Sequence, residues 1–155
     1  QLTSFIGLSD SIEFLGGKLF GSLYWGKSNP SSNELGLISS ISKLDSSSFG
    51  VGFLKNTILG SNDKFIFTVN QPLRIESGKI QLNIPTYRTS EKNVLFNSMS
   101  LNLNPSGREI NTKAEYFTSH KIMNFSLVLG YKSDPYHIKF MDDFWYMSFG
   151  FNINI

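Results

Sequence analysis

The chain contains no cysteine, few charged residues and no long apolar run. Of its 155 residues 17% are charged, and the net charge is only +2. The absence of cysteine excludes disulfides, thiolate chemistry and cysteine-based metal sites. A membrane-spanning helix needs about 20 consecutive apolar residues, and no segment approaches that length. No cluster of Lys and Arg predicts a nucleic-acid-binding face, so we expect no nucleic-acid partner.

Aromatic residues are abundant, and apolar residues recur with a period of two along most of the chain. Fourteen of the residues are Phe. Because successive side chains of a strand point to opposite faces, this period predicts strands with one apolar and one polar face. The clearest case is the segment 144–155, FWYMSFGFNINI, in which every second residue from Trp145 onward is large and apolar. We predict about ten strands, at 4–15, 18–27, 34–43, 48–58, 64–75, 79–88, 93–104, 108–118, 121–132 and 144–155.

The predicted fold is all-β: an antiparallel up-and-down meander closed into a transmembrane β-barrel of about 10 strands, within a range of 8–12. Short clusters of turn residues separate the strands and leave no room for crossover helices. Closure hides the edges of a long meander, and strands of about ten residues cross a bilayer when tilted. Residues 1–155 form a single domain in this prediction. The 108–118 strand places Lys113 and Glu115 on one face, which we assign to the lumen.

Two stretches carry a more specific pattern. They are NQPLRIESG at 70–78, followed by LNIP at 82–85, and LNLNPSGREI at 101–110. Together they resemble the autotransporter-like C-terminal β-domain that follows subtilisin-like serine protease domains in some Gram-negative bacteria. Residues 7–10 and 49–53 are similar to that domain as well. The motif residues are Gln71, Pro72, Arg74, Glu76, Gly78, Pro105, Gly107, Arg108 and Glu109.

The C-terminus is similar to the signal that the barrel-assembly machinery reads in outer-membrane barrels. Ser148, Gly150, Ile153 and Ile155 occupy its four positions, although the family prefers aromatic residues at the last two. The resemblance implies an anchor or translocator in the bacterial outer membrane. Its implied partners are the lipid bilayer with lipopolysaccharide, the barrel-assembly machinery and an upstream protease passenger. A subtilase triad would lie upstream of this chain, which begins with Gln1 and is expected to be a processed product or a fragment.

Two loop features admit a functional and a structural interpretation. Arg74, Glu76, Arg108 and Glu109 form either a recognition or gating cluster or ordinary salt bridges, and salt bridges are favoured because exposed ion pairs are common. Pro72 and Pro85 are expected to face each other across a hairpin turn at Ser77-Gly78, with a bulge where proline removes a ladder donor.

His137 lies in a loop of residues 133–143 that is predicted to be the longest, extracellular connection. With Asp134, Asp142 and Asp143 nearby, a metal site is conceivable, but the spacing of known ligand sets is missing. A solvated loop is favoured, and we expect no metal, cofactor or catalytic residue. The chain has two His and no nucleophile-elbow motif, so an enzyme is not expected.

Three functions remain open at this point. The leading hypothesis is an outer-membrane barrel that anchors, and helps to export, an upstream subtilase-type passenger. The alternatives are a soluble lipocalin-like β-domain that binds a small ligand or a protein partner, and a small standalone outer-membrane barrel. The sequence leaves the oligomeric state open.

Overall fold

The computed structural model describes residues 2–31 and 36–153, and most of these residues lie in strands. Among the described residues no helix is both long and apolar enough to cross a membrane. The predicted all-β class, antiparallel pairing and strand number of ten are confirmed. The strands are β1 (Leu2–Phe14), β2 (Gly17–Asn29), β3 (Ile38–Ile41), β4 (Leu44–Asn56), β5 (Asp63–Ser77), β6 (Lys79–Arg88), β7 (Val94–Asn102), β8 (Ile110–His120), β9 (Met123–Ser133) and β10 (Phe144–Ile153), with one short 3₁₀ turn at Pro135–His137.

The strands form two open sheets, so the predicted single closed meander is wrong for the described residues. A seven-stranded sheet has the order β1-β2-β4-β5-β8-β9-β10, and β3-β6-β7 form a separate three-stranded sheet. Because seven antiparallel strands place the first and the last in the same direction, β1 and β10 cannot form the antiparallel seam that a closed meander requires. Both strands are edges of the larger sheet.

The chain divides into two compact units. One comprises Gln1–Ile6, Trp25–Ser47 and Arg74–Pro105, and the three-stranded sheet lies within it. The other comprises Gly7–Tyr24, Ser48–Leu73 and Ser106–Ile155, and it contains β8, β9 and β10.

An unbroken register joins β8, β9 and β10 and gives the sheet two chemically different faces. Phe149 pairs with Leu127, and Leu127 pairs with Tyr116, so these side chains share one face. Tyr116 in turn pairs with Phe65 of β5. The face that carries them, here named the apolar face, comprises mainly Phe65, Phe67, Val69, Ile110, Ala114, Tyr116, Met123, Phe125, Leu127, Leu129, Tyr131, Trp145, Met147, Phe149, Phe151 and Ile153, together with the polar residues Asp63, Thr112, Thr118, His120 and Ser133. The polar face on the other side comprises mainly Lys64, Thr68, Asn70, Asn111, Lys113, Glu115, Ser119, Asn124, Ser126, Gly130, Lys132, Ser148, Gly150 and Asn152, together with the apolar residues Ile66, Phe117, Val128, Phe144 and Tyr146.

Connection lengths differ sharply between the two ends of the seven-stranded sheet. Since neighbouring strands are antiparallel, successive connections alternate between the ends. One end, the short-turn end, has the connections 15–16, 57–62 and 121–122. The other, the long-connection end, has 30–43, 78–109 and 134–143. The predicted longest connection, 133–143, is therefore shorter than 78–109, which holds β6 and β7.

The predicted hairpin at Ser77-Gly78 is also wrong. β5 pairs with β8 from Asp63, opposite Thr118, to Asn70, opposite Asn111. β6 pairs with β3 and β7 and not with β5. Pro85 stands opposite Phe96 of β7, and the ladder is irregular between Pro85 and Tyr87. A proline-associated irregularity is present as expected, but in a different pairing, because β5 finds its partner far along the chain.

Several glycines receive the aromatic ring of a neighbouring strand. A Cβ on Gly130 would collide with the ring of Tyr146, the residue that pairs with it across β9 and β10. A Cβ on Gly52 would lie 2.7 Å from Cε2 of Phe20 and 2.9 Å from Cγ2 of Thr68. The rings therefore fill space that is open only because the opposing residue is glycine. This packing fixes the position of each strand relative to its neighbour.

Replacing Gly52 with Ala is expected to destabilise the fold by about 1–3 kcal/mol, because the added methyl group overpacks the site between Phe20 and Thr68. The urea-unfolding midpoint of the refolded protein measures this. Gly60→Ala is the control, since nothing lies within 4 Å of a Cβ at Gly60. Equal midpoints for the two variants would contradict the packing argument.

Candidate functional site

The most elaborate polar site joins two long connections at the long-connection end. It consists of Gln71, which follows the part of β5 that pairs with β8, Arg108 and Glu109 before β8, and Asp134 and His137 after β9, here named the latch. All five residues belong to the same compact unit. Gln71 is 1% exposed, Glu109 5% and His137 9%, whereas Asp134 is half-buried and Arg108 is exposed, so the latch has a buried polar centre and an exposed rim.

His137 uses both of its ring nitrogens. The backbone N–H of Glu109 donates to Nδ1 at 2.9 Å. Nε2 lies 3.1 Å from the carbonyl oxygen of Leu73. Because a carbonyl oxygen can only accept, Nε2 carries the proton and Nδ1 is the acceptor. The neutral imidazole therefore links the start of β8 to the last part of β5.

Glu109 is held as a carboxylate by donors on three sides. The backbone N–H of Tyr136 donates to Oε2 at 2.6 Å, and Nζ of Lys132 lies 3.2 Å from Oε1. Desolvation by itself raises the pKa of Glu109, but hydrogen bonds from Tyr136, Asn111 and Lys132 and the charge of Lys132 outweigh it. The net result is a pKa below the ordinary value of 4.5.

Hydrogen bonds from the backbone of residues 106–109 join this segment to the loop after β9. Gly107 N–H donates to the carbonyl of His137 at 2.7 Å, and Arg108 N–H donates to Oδ2 of Asp134 at 3.1 Å. The Arg108 side chain donates to Oε1 of Gln71. A Cβ on Gly107 would lie 2.6 Å from the amide nitrogen of Lys139, so the two segments touch where glycine is required.

The loop held by the latch has a strained backbone. Asp134, Tyr136 and His137 all have positive φ angles, of 42°, 59° and 60°. For residues other than glycine each such conformation costs about 1–3 kcal/mol and persists only where the surroundings impose it. The latch supplies these surroundings, and strain of this kind concentrates at functional sites.

A second carboxylate fixes the same loop at its far end. Oδ2 of Asp143 accepts the hydroxyl of Tyr131 at 2.5 Å, and Oδ1 accepts the backbone N–H of Asp134 at 3.0 Å. These two bonds lower the pKa of Asp143 below its ordinary value, against a smaller opposing effect of desolvation. The connection is therefore held at both of its ends.

The residues of the predicted charged cluster belong to both compact units. Gln71, Arg108 and Glu109 are part of the latch. Within the other unit, Arg74 pairs with Glu76 and donates to the carbonyl of Pro105 at 3.0 Å, and Ser47 donates to Glu76 at 2.6 Å. Pro72 is half-buried within β5, and a Cβ on Gly78 would collide with Leu44.

His137 is the main residue that the sequence reasoning missed. The prediction of a solvated loop is wrong at His137, which is buried and bonded on both nitrogens. Nothing in the preceding residues, Asp134, Pro135 and Tyr136, indicates a bond to Leu73. Within residues 2–31 and 36–153 no group of His, Asp and Glu is arranged to hold a metal ion.

The assembly-signal residues lie on β10 as far as the structure describes them. Ser148 and Gly150 lie on the polar face, opposite Val128 and Ser126, and Ile153 lies on the apolar face, opposite Met123. Ile155 lies outside the described residues.

Comparisons with protein-family models, with curated proteins and with solved structures find no match for this chain.

The lowered pKa of Glu109 leads to a pH-dependent prediction. Since the unfolded chain takes up the proton at a higher pH than the folded one, Glu109 contributes stability above pH 4.5 that is lost as the pH falls through its folded pKa. Glu109→Gln should therefore lower the urea-unfolding midpoint at neutral pH, and its deficit relative to the unmodified protein should shrink at about pH 3.

The control is Glu91→Gln, which removes the same charge from an exposed turn. A deficit of Glu109→Gln that stays constant between neutral pH and acid would contradict this account of the latch.

Proposed function

We propose that the seven-stranded sheet is the wall of a bacterial outer-membrane β-barrel that anchors an upstream subtilase-type passenger at the cell surface and helps to export it. The observation that carries this proposal is the exposure of the apolar face. On β10, Trp145, Met147, Phe149, Phe151 and Ile153 are 48–77% exposed. No Ala, Val, Leu, Ile, Met, Phe, Tyr or Trp side chain in the described residues is buried. A water-soluble domain buries such side chains in a core, whereas a barrel presents them to lipid.

The polar face supports a lumen. Lys113 and Glu115 form a salt bridge of 2.7 Å between Nζ and Oε1, and both lie on this face. On the lipid side a Lys or Arg at the bilayer midplane costs about 2–4 kcal/mol. Inside a barrel the same charges pair with each other and remain hydrated. A barrel that closes with the polar face inward would therefore present its apolar face to lipid, as a membrane barrel requires.

Strand length and connection length support the same orientation. β9 has 11 residues and β10 has 10, and at about 3.4 Å per residue such strands cross an apolar band of about 25 Å when tilted. Outer-membrane barrels have short periplasmic turns and longer extracellular connections. We therefore assign the short-turn end to the periplasm and the long-connection end, with the latch, to the cell surface.

This orientation brings the assembly signal to the compartment in which it is read. β10 runs from the loop 134–143 toward the short-turn end, so Gly150 and Ile153 approach the periplasm. That is where the barrel-assembly machinery would meet them. The lipid bilayer and its lipopolysaccharide are the remaining partners in this proposal.

The open edges set a further requirement. In lipid every backbone N–H and C=O must find a partner, so the edges of β1 and β10 cannot stay unpaired. Since these two strands run in the same direction, an odd number of additional strands must join them if each is to have an antiparallel neighbour. We propose that this barrel is completed in that way and not by direct pairing of β1 with β10.

The passenger is inferred from the resemblance of the motifs at 70–78 and 101–110 to the subtilase-associated β-domain. We assign the catalytic role to that passenger and none to this chain. The soluble lipocalin-like alternative requires the apolar face to line an interior, and its exposure in the structure weighs against it. The standalone barrel shares the membrane location and differs only in lacking a passenger.

Two adjacent residues in the middle of β9 test the membrane proposal. Leu127 lies on the apolar face and Val128 on the polar face, where it stands opposite Glu115. Leu127→Arg should weaken folding into lipid vesicles by about 2–4 kcal/mol, because the charge meets lipid. Val128→Arg should be tolerated, because Glu115 can pair with it.

Urea titration of folding into phosphatidylcholine vesicles, followed by heat-modifiable migration in gels, measures both variants. Equal effects at Leu127 and Val128, or a monodisperse soluble monomer without lipid or detergent, would contradict the proposal.

A further inference from the structure

His137 is a buried titratable residue whose two hydrogen bonds require the neutral imidazole. Its Nδ1 accepts the backbone N–H of Glu109 at 2.9 Å, and its Nε2 lies 3.1 Å from the carbonyl oxygen of Leu73. The residue is only 9% exposed, so water has little access to either nitrogen. Histidine is the side chain whose charge ordinarily changes between about pH 5 and pH 8. His137 is therefore the residue of the latch through which mild acid can act.

A second proton on His137 would replace an attraction with a repulsion. In an imidazolium both ring nitrogens carry a proton and donate. The proton on Nδ1 would then point at the backbone N–H of Glu109, which cannot accept a hydrogen bond. The bond between Nε2 and Leu73 can persist only while the ring keeps its present position, and the repulsion at Nδ1 opposes that position.

The loop that His137 belongs to already has a backbone that favours release. Asp134, Tyr136 and His137 have φ angles of 42°, 59° and 60°. Residues other than glycine keep such angles only where their surroundings impose them. The hydrogen bonds of His137 are part of these surroundings, so the loss of the bond to Glu109 would let the backbone of the loop relax.

The charged groups of the segments that meet His137 nearly balance. The segment before β8, β9 and the loop contribute Arg108, Glu109, Lys132, Asp134, Lys139, Asp142 and Asp143. On β5 the residue that follows Leu73 is Arg74, which pairs with Glu76. Because Lys132 pairs with the carboxylate of Glu109 at 3.2 Å, this carboxylate does not confront an imidazolium as an uncompensated charge. The two hydrogen bonds of the ring therefore decide which form of His137 fits the latch.

We propose that the latch is a pH-sensitive switch, in which protonation of His137 in mild acid releases the loop of residues 134–143 from residues 106–109 and deprotonation locks it again. All the latch residues belong to one compact unit. The inference goes beyond the proposed function and does not depend on it. In the proposed orientation the latch would respond to the pH of the medium outside the cell.

The mobility of a spin label on the loop tests the switch. Since the chain has no cysteine, Phe140→Cys places one nitroxide label on the loop, at a residue that is 88% exposed. In the purified full chain folded in detergent, the mobile fraction of this label should rise reversibly between about pH 7.5 and about pH 5, with the width of a one-proton titration. Leu59→Cys is the matched control, because Leu59 is 81% exposed in the connection 57–62 at the short-turn end. Its label should not change.

Two histidine variants in the Phe140→Cys background identify the group that takes up the proton. His120, the other histidine of the chain, is exposed at the end of β8, and His120→Asn should keep the transition. His137→Asn should abolish it, because Asn retains a side-chain acceptor, tolerates a positive φ and cannot be protonated in this range.

An NMR titration follows the proton itself. In His120→Asn without a label, His137 is the only imidazole, so the chemical shifts of its ring nitrogens report its protonation. The midpoint should coincide with that of the label mobility. Both titrations end at about pH 5, because the pKa of Glu109 lies below 4.5 and its carboxylate takes up a proton only in stronger acid.

The inference is overturned if the label at residue 140 stays immobile down to about pH 5, if the label at residue 59 changes equally, or if the two midpoints differ. A transition that persists in His137→Asn would also overturn it. If His137→Asn is mobile at every pH, His137 is needed to hold the loop, and the agreement of the two midpoints decides whether its proton releases it. Normal heat-modifiable migration with an immobile loop would refute the switch and leave the membrane proposal standing.

Discussion

The seven-stranded sheet depends on one constraint. Each strand must pair with its neighbour in a fixed register, so that the apolar side chains of all strands lie on the same face. Phe149, Leu127 and Tyr116 share a face because β10, β9 and β8 pair without a shift. A slip of one residue in either pairing would carry a whole row of apolar side chains to the polar face. The glycines that receive aromatic rings, such as Gly130 under Tyr146, help to fix that register. The difference between the two faces, and with it the membrane proposal, therefore depends on strand pairing.

The latch solves a different problem at the long-connection end. Long connections lose conformational entropy when they are ordered, and the loop after β9 also contains three non-glycine residues with positive φ. The hydrogen bonds that Glu109 and His137 make offset this loss of entropy and the backbone strain. A buried polar group without a hydrogen-bond partner would destabilise the fold, so the loop adopts the shape in which these groups are bonded. Glu109 and His137 are thus a means of imposing one loop shape. A loop held in a strained shape beside the start of β8 is compatible with the proposed barrel, in which this loop would be an extracellular connection of fixed form.

The sequence predicted the features that depend on local pattern. The alternation in 144–155 predicted a strand there, which the structure shows as β10 at Phe144–Ile153, and the face shared by Lys113 and Glu115 followed from the same period. The sequence did not predict the pairing of strands that are far apart along the chain. β5 joins β8 and not β6, so the hairpin at Ser77-Gly78 was wrong, and the edges of the sheet differ from the predicted seam.

The candidate site shows the same division between local and distant information. The motif residues Gln71, Arg108 and Glu109 were identified from their resemblance to a family, and the structure brings them into one network. The sequence predicts a solvated loop at His137, which is wrong because the bond of His137 to Leu73 joins positions 64 residues apart and leaves no trace in the neighbouring sequence. Arg74 and Glu76, which the sequence groups with the latch residues, belong to the other compact unit, because the charge of a residue does not specify the part of the fold to which it belongs.

The central claim is that the apolar face meets lipid, and the fluorescence of Trp145 tests it most directly. The chain has two tryptophans, so Trp25→Phe leaves Trp145, which is 77% exposed on the apolar face, as the only tryptophan. In vesicles of phosphatidylcholine brominated on the acyl chains, the account predicts strong quenching of Trp145 and little quenching by aqueous iodide. Quenching by iodide with no effect of brominated lipid would contradict it.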